Sequence, residues 1–357
     1  MTHGTTRCDV VVIGAGVSGL AAATALVKSG STVICLEARD RVGGRVLTRQ
    51  TSGHHLDLGA TWFWDNEDTV AATLEDLGHG SFRQHTTGDA LFERDVNGAV
   101  RLDGNPVDSP ALRFTRGAQS LADGLAMRLP PGVLHLGRPV AEVLFTDAGV
   151  TVTANDEHIE ASAVVLAVPP ALASQSIAFN PPLSAGMLDL ATATPVWMGS
   201  TIKAVAVFEN AFWRDEGLAG SAISYAGPFR EFHDMSGPQE SSAALFAFAN
   251  AAELGQLNTE DIEKAYRHQL IRLFGDQAGR PREVLVMDWS REEYTSPRKP
   301  AKAASTQTFG HQNYQRGDYQ EKLHWASTET SPYFAGHIEG ALRAGLRAAK
   351  NTQASLP

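Results

Sequence analysis

The stretch Val10-Val11-Val12-Ile13-Gly14-Ala15-Gly16-Val17-Ser18-Gly19 decides the fold. Residues 8–13 are a short apolar run rich in β-branched side chains, and Gly14 stops it. Helical periodicity follows from Ser18 to about Ser29, with Gly30 as a stop signal. Residues 32–37 form a second apolar strand ending on Glu37. Strand, glycine-rich turn, helix and strand make a βαβ unit. Gly14 permits the tight turn off the first strand, Gly16 lets the backbone approach a pyrophosphate, and Gly19 allows close packing of helix on strand. The amides that open the helix then face the phosphates. Glu37 is placed to accept hydrogen bonds from ribose hydroxyls.

The next stretch, Glu37-Ala38-Arg39-Asp40-Arg41-Val42-Gly43-Gly44-Arg45, separates FAD from NAD as the cofactor. The pair Gly43-Gly44 lets the backbone close on a phosphate, and Arg45 supplies charge to it, with Arg39 or Arg41 helping. This motif resembles the flavin-containing amine oxidase superfamily, which includes monoamine oxidases, polyamine oxidases and L-amino-acid oxidases. The resemblance continues along most of the chain. His55-Leu56-Asp57-Leu58-Gly59-Ala60-Thr61-Trp62 is similar to the family's flavin-contacting segment, which implies that Gly59, Ala60 and Thr61 bind the cofactor. Arg138-Pro139-Val140 resembles the strand whose backbone, at Val140, reads the adenine. Residues 164–170 resemble the strand that ends in a proline pair near the flavin, and Phe179-Asn180-Pro181-Pro182-Leu183 is a further family pattern. Trp325-Ala326-Ser327-Thr328-Glu329-Thr330 resembles the C-terminal flavin motif, with Ser327 where a glycine is usual, and implies Glu329 and Thr330 as cofactor residues. Gly336-His337-Ile338-Glu339-Gly340-Ala341 then opens the last helix, with His337 and Ile338 against the flavin.

The whole chain sets bounds on this reading. It has 357 residues, 43% of them hydrophobic and 20% charged, as in an ordinary soluble globular protein. The formal net charge of -10 argues against non-specific nucleic-acid binding. No apolar run reaches the ~20 residues that span a bilayer. Residues 1–7 contain no apolar signal core, so a cytoplasmic location is the default. The two cysteines, Cys8 and Cys35, lie on predicted strands and read as buried free thiols, and no Cys/His cluster has metal-ligand spacing. The expected fold is α/β: a Rossmann-like FAD-binding domain (residues 1–75, 115–170 and 305–357) with a mixed-sheet substrate domain (76–114 and 171–304). Both domains are discontinuous.

Three further features bear on the chemistry. Lys203 lies in a strand, residues 200–208, whose alternation leaves both faces apolar, so it is a candidate buried lysine with a lowered pKa. The family has a lysine here that is bridged through water to the flavin N5. Trp62, Phe63 and Trp64 either line a substrate cavity or pack the domain boundary. In the last helix Ile338, Ala341, Leu342, Gly345, Leu346 and Ala349 form one predicted buried stripe, and Arg343, Arg347 and Lys350 lie where cations favour the helix dipole.

The resemblance also has gaps. Only about residues 97–113 separate Phe92 from the segment containing Gly117, so most of the family's helical lid is missing. Monoamine oxidases flank the amine with two tyrosines. An ungapped count back from Trp325 places Lys299 at the first position, and His337 stands at the second. A cation at 299 would repel an ammonium or pair with a substrate carboxylate, while Tyr294 and Tyr333 are candidate aromatic walls.

The resemblance implies an FAD-dependent oxidase of an amine or amino acid, acting by hydride transfer to flavin N5. O2 is the second substrate, the products are an imine and H2O2, and Lys203, His337 and Trp62 are at the reaction site. The alternatives are another flavin-dependent dehydrogenase or desaturase of this fold, or a non-catalytic FAD-binding subunit. A homo-oligomer would cover an open substrate side. The same count puts Arg298 where monoamine oxidases carry the cysteine that attaches flavin, so the FAD is expected to be non-covalent. Acid precipitation should therefore release the flavin to the supernatant; flavin-labelled protein in the pellet would contradict it.

Overall fold

A computed structural model describes residues 6–51, 53–238, 242–254, 257–298 and 306–356. Its centre is a wholly parallel five-stranded sheet in the order Leu134–His135, Val33–Leu36, Val10–Ile13, Ala163–Leu166, Leu323–Trp325. Strands from the two ends of the chain thus share one sheet. A parallel sheet is covered on both faces, which is why its strands read VVVI, VICL and AVVL without alternation. On one face Val10, Val12 and Cys35 pack against the first helix, Val17–Lys28, the helix Gln119–Met127 and the last helix, Ile338–Ser355. On the other face Val11, Ile13, Ile34 and Leu36 meet Val143, Val150 and Val152 of a second five-stranded sheet.

The last helix keeps most of the predicted stripe, with Ile338, Leu342, Gly345 and Ala349 buried, but Leu346 is 43% exposed and the buried edge extends instead to Glu339, Gly340, Ala344 and Ala348. The cause is a close crossing with the first helix, since a Cβ on Gly345 would stand 2.1 Å from the Ser18 carbonyl oxygen. Small residues on that edge set the short interaxial distance, and a leucine is displaced to the flank. Arg347 does not act as a dipole cation at the surface. It is mostly buried and donates to the carbonyls of Trp325 and Thr330, clamping the C-terminal motif. Cys35 is buried as expected, but Cys8 is only half-buried; both are free thiols.

The second unit is a seven-stranded mixed sheet, ordered Glu283–Asp288, Thr201–Phe208, Ala243–Asn250, Phe229–Asp234, Leu218–Ser224, Asp89–Asp95, Gly98–Leu102. Ile202, Ala204 and Ala206 face the helix Thr259–Phe274 through Ile262, Tyr266 and Leu270. Val205 and Val207 face the opposite way, onto Leu56 and Leu58, and Lys203 shares their face by alternation. The expected boundary at 170 falls inside the packing of the first unit. Ala178–Asn180 pairs in parallel with Val140–Thr146, and Ala173, Met187 and Ala191 pack with the parallel sheet. Among the described residues no helix lies between Leu77 and Gln119, where short strands and loops replace it.

Candidate active site

A cavity of about 690 Å³ runs along the carboxyl ends of the parallel strands, where ligands of open α/β sheets bind. The three glycines of the first turn have different roles there. Gly14 has φ +98, in the left-handed region. A Cβ on Gly19 would stand 1.8 Å from the Gly14 carbonyl oxygen, so folding itself demands glycine at 19. A Cβ on Gly16 would meet nothing nearer than the Gly43 carbonyl oxygen at 3.9 Å and Gly44 Cα at 4.0 Å. The fold does not need glycine at 16; the space is reserved on the cavity wall. The first helix starts at that wall with no side-chain cap and no acidic residue in its first turn. Its free amides suit an anion.

Charged groups complete this wall. Glu37 is buried, with Oε2 accepting the Ala15 N–H at 2.7 Å and Oε1 accepting the Arg39 N–H at 3.0 Å. Arg45 is held on the wall by a bidentate pair to buried Glu329, at 2.5 and 3.1 Å. Arg41 folds back onto the carbonyls of Val42 and Gly44 and only braces the loop. Ser327, which replaces the usual glycine, lines the cavity with a buried hydroxyl that has no protein partner among the described residues. The open space at Gly16, the free helix amides, Arg45 and this orphan hydroxyl together fit a dinucleotide pyrophosphate and its neighbouring hydroxyls.

Gly14, Gly16, Glu37, Ala38, Arg39, Gly43, Gly44, Arg45, Ala60, Val140, His337 and Ile338 all lie on the wall of this cavity. Gly19, Glu329 and Thr330 do not: they stand behind it, the first as packing and Glu329 as the anchor of Arg45. Next to Val140 the strand ladder shifts register, which takes Ala141 out of the pairing.

A second cavity of about 580 Å³ adjoins the first. The two share Ala60, Trp197, Met198, Gly336, His337 and Ile338. Gly59, Thr61, Trp62, Trp64 and Phe248 line the second, so two of the three run aromatics face a cavity. Phe63 turns inward onto Phe114 at 5.1 Å. Behind Trp62 lies His233, its ring centroid 5.0 Å away and its Nδ1 2.6 Å from Asp108. Burial opposes charge on His233, but its bonds to Asp108 and Glu231 outweigh that and raise its pKa.

Lys203 is fully buried and lies one layer behind these walls. Its Nζ donates to the Gly59 carbonyl at 3.0 Å and to Thr61 Oγ1, and faces the Phe246 ring at 4.2 Å. Burial dominates and pushes its pKa down to about 7, with Asp57 opposing and Arg113 reinforcing the shift. Tyr294 lines the first cavity rather than the second, beneath the Arg39 guanidinium at 5.6 Å. Tyr333 is exposed and lines neither. Lys299 lies outside the described residues.

Sequence reasoning missed Trp197, Met198 and Phe248. Phe248 had a signal, the alternation of aromatics in AALFAFAN, but its pairing opposite Lys203 is a tertiary fact. Trp197 and Met198 sit in a short 3-10 turn with no motif around them.

A parallel dinucleotide fold with this wall, opening into an aromatic chamber, defines a flavin-dependent oxidoreductase. The chain belongs to the flavin containing amine oxidoreductase family, whose model matches residues 100–352, while a model of NAD(P)-binding Rossmann-like domains matches 12–77. Putrescine oxidase of Kocuria rosea is 26% identical over 96% of this chain and 94% of its own length. Human flavin-containing amine oxidase B is 26% identical over 96% of this chain and 86% of its own. These alignments extend over 457 and 454 positions against 357 residues, so about a hundred positions of each relative have no counterpart here. A solved putrescine oxidase bound to putrescine shares the fold, with TM-score 0.87 and 24% identity, covering 98% of this chain and all of that one. Cyclohexylamine oxidase from Brevibacterium oxydans superposes with TM-score 0.84 at 21% identity, covering 97% of this chain and 99% of that one.

Two predictions follow from the walls. Gly16→Val should fold with wild-type circular dichroism yet purify colourless, because its side chain occupies cofactor space, whereas Gly19→Val should fail to fold. Retained flavin in the first variant would contradict this reading of the wall. The second concerns Lys203, whose ordinary pKa of 10.5 falls to about 7 on folding. Between those values the unfolded chain holds more protons, so this residue makes stability rise with pH from about 7 to 10.5. Lys203→Met should lose that component, and its stability relative to wild type should be greatest near and below pH 7. Parallel stability curves for the two proteins across this window would refute it.

Proposed function

We propose that this protein is an oxidase of small amines, with FAD held non-covalently in the first cavity and the amine bound in the second. The observation that carries the reading is the meeting of the two cavities at Ala60, His337 and Ile338. When bound, FAD supplies a two-electron acceptor that O2 reoxidises. The amine becomes an imine, which water splits to a carbonyl compound and ammonia, while O2 becomes H2O2.

The chain's own residues divide this work. The amides after Gly16, together with Arg45, hold the pyrophosphate, Glu37 holds the ribose, and Ser327 donates its free hydroxyl. Trp62, Trp64 and Phe248 present ring faces and edges around the second cavity, a setting that favours an ammonium. Both charged residues of that wall are paired, Glu231 with His233 at 3.8 Å and Arg230 with Glu253 at 2.7 Å, so no free cation of the described wall awaits a carboxylate. The wall therefore supports an amine over an amino-acid carboxylate. Lys203 fixes the Gly59–Thr61 segment from behind and places an ionisable group near the seam, so it tunes reduction or reoxidation. Non-covalent attachment is supported by the positions of the thiols: Cys35 is buried within the parallel sheet and Cys8 lies beside the second sheet, while Arg298 is on the cavity wall.

We place the division between cofactor and substrate units so that 171–193 joins the former. Among the described residues no helix is long and apolar enough to cross a membrane.

The test is an anaerobic screen of the yellow protein with benzylamine, butylamine, putrescine and phenylalanine. At least one amine should bleach the flavin within seconds to minutes, and air should restore the colour with one H2O2 per turnover. Bleaching by phenylalanine alone, or by none of the four, would overturn the assignment.

A further inference from the structure

Among the described residues that line both cavities, His337 is the only titratable one. Its ring is fixed from behind. Glu67, 1% exposed, places Oε1 2.6 Å from His337 Nδ1, and its Oε2 accepts the Trp64 N–H at 3.2 Å. One buried carboxylate therefore sets two parts of the substrate wall. The Trp64 and Phe334 rings flank the imidazole at 5.1 and 6.1 Å. An ionised carboxylate only accepts, so Nδ1 carries the hydrogen and the lone pair of a neutral ring is at Nε2. Glu67 occupies the Nδ1 side, and Nε2 meets no hydrogen-bonding partner among the described residues.

A small amine reaches the enzyme as an ammonium, since its pKa resembles the ~10.4 of a lysine. Its nitrogen lone pair is then locked in an N–H bond, yet that pair must be free for the neighbouring C–H bond to part with hydride. We propose that Glu67 and His337 form a carboxylate–imidazole pair that accepts this proton. One substrate N–H bond breaks, its electron pair stays on the amine nitrogen, and a new N–H bond forms at His337 Nε2. Glu67 is the positioning residue: it fixes the tautomer and stabilises the imidazolium that results. The inference rests on the amine-oxidase reading above.

The other charged groups around the ring are already engaged or distant. Glu339, two residues on, is held by Thr69, Val70 and Arg343. Arg230 and Glu231 are on the wall contributed by the strand Phe229–Asp234, and Glu293 and Arg298 line the first cavity. Among the described residues, Glu67 alone makes a hydrogen bond to the imidazole.

The experiment uses flavin-loaded wild type, Glu67→Gln and His337→Gln, with the amine that bleaches wild type fastest in the screen. At pH 7 anaerobic bleaching should slow about tenfold in Glu67→Gln and about a hundredfold in His337→Gln, the low end of what a general base contributes. Both deficits should shrink to within about threefold near pH 10, where free amine is abundant in solution and needs no base. A merely structural role would leave the same deficit at every pH. A second readout needs no turnover. Protein carrying 15N-labelled histidine is titrated with α,α-dimethylbenzylamine, which has no hydrogen on the carbon next to nitrogen. The signal missing from His337→Gln should show hydrogen on Nδ1, and its Nε2 resonance should move upfield as Nε2 accepts a hydrogen bond from the bound ammonium. An Nε2 resonance that the amine leaves unmoved, wild-type bleaching by His337→Gln at pH 7, or a deficit unchanged at pH 10 would overturn the proposal. Failure of every amine to bleach wild type would instead bring down the amine-oxidase reading beneath it.

Discussion

The segment Leu58-Gly59-Ala60-Thr61 is the joint on which the rest depends. It is tied to the cofactor side by backbone: Leu58 N–H donates to the Leu47 carbonyl at 2.8 Å and Ala60 N–H to the Arg45 carbonyl at 3.1 Å. It is tied to the seven-stranded sheet by side chains: Trp289 Nε1 donates to the Leu58 carbonyl at 2.8 Å, and Lys203 to that of Gly59. Any Cβ at Gly59 would lie 2.1 Å from the Arg45 carbonyl oxygen, so the approach is as close as backbone allows. Because Ala60 faces both cavities, these bonds fix where one ends and the other begins. A buried lysine is expensive unless its donors are satisfied. Here its donors meet the Gly59 carbonyl and the Thr61 hydroxyl between the two sheets.

The same logic recurs with the buried carboxylates. Glu329 holds Arg45, Glu67 holds His337, and Glu339 caps the first turn of the helix Asp68–Leu77 through the amides of Thr69 and Val70. Each is essentially inaccessible to solvent and each fixes a group on or beside a cavity wall. The wall residues carry the chemistry; the layer behind them determines their angle and charge. In a chain about a hundred residues shorter than its relatives, this inner frame holds the walls, and among the described residues no helix lies between Leu77 and Gln119.

Much of the first cavity was legible because its chemistry is local in sequence. The turn from Gly14 to Gly19 and the run from Glu37 to Arg45 each bring their glycines and charges together within a few residues. What the sequence hid is three-dimensional. Glu329 reads as a cofactor residue in its motif but spends both oxygens on an arginine 284 positions away. Leu346 obeys helical periodicity but loses its place to a glycine edge at a crossing that no single helix reveals. Glu67 carries no signal in a loop of acids, and its importance appears only when the last helix delivers His337 beside it. The second cavity was the least legible, since Trp197, Met198 and Phe248 come from three elements that no motif links.

The central claim is that two adjoining cavities form one site, with cofactor on the Gly16 side and amine on the Trp62–Trp64 side of a seam at Ala60 and His337. A crystal structure of the flavin-loaded protein soaked with α,α-dimethylbenzylamine tests it most directly. The account predicts flavin density between Gly16 and His337 ending against Ala60, with the amine enclosed by Trp62, Trp64 and Phe248. Flavin density outside the first cavity, or amine bound away from that aromatic wall, would contradict it.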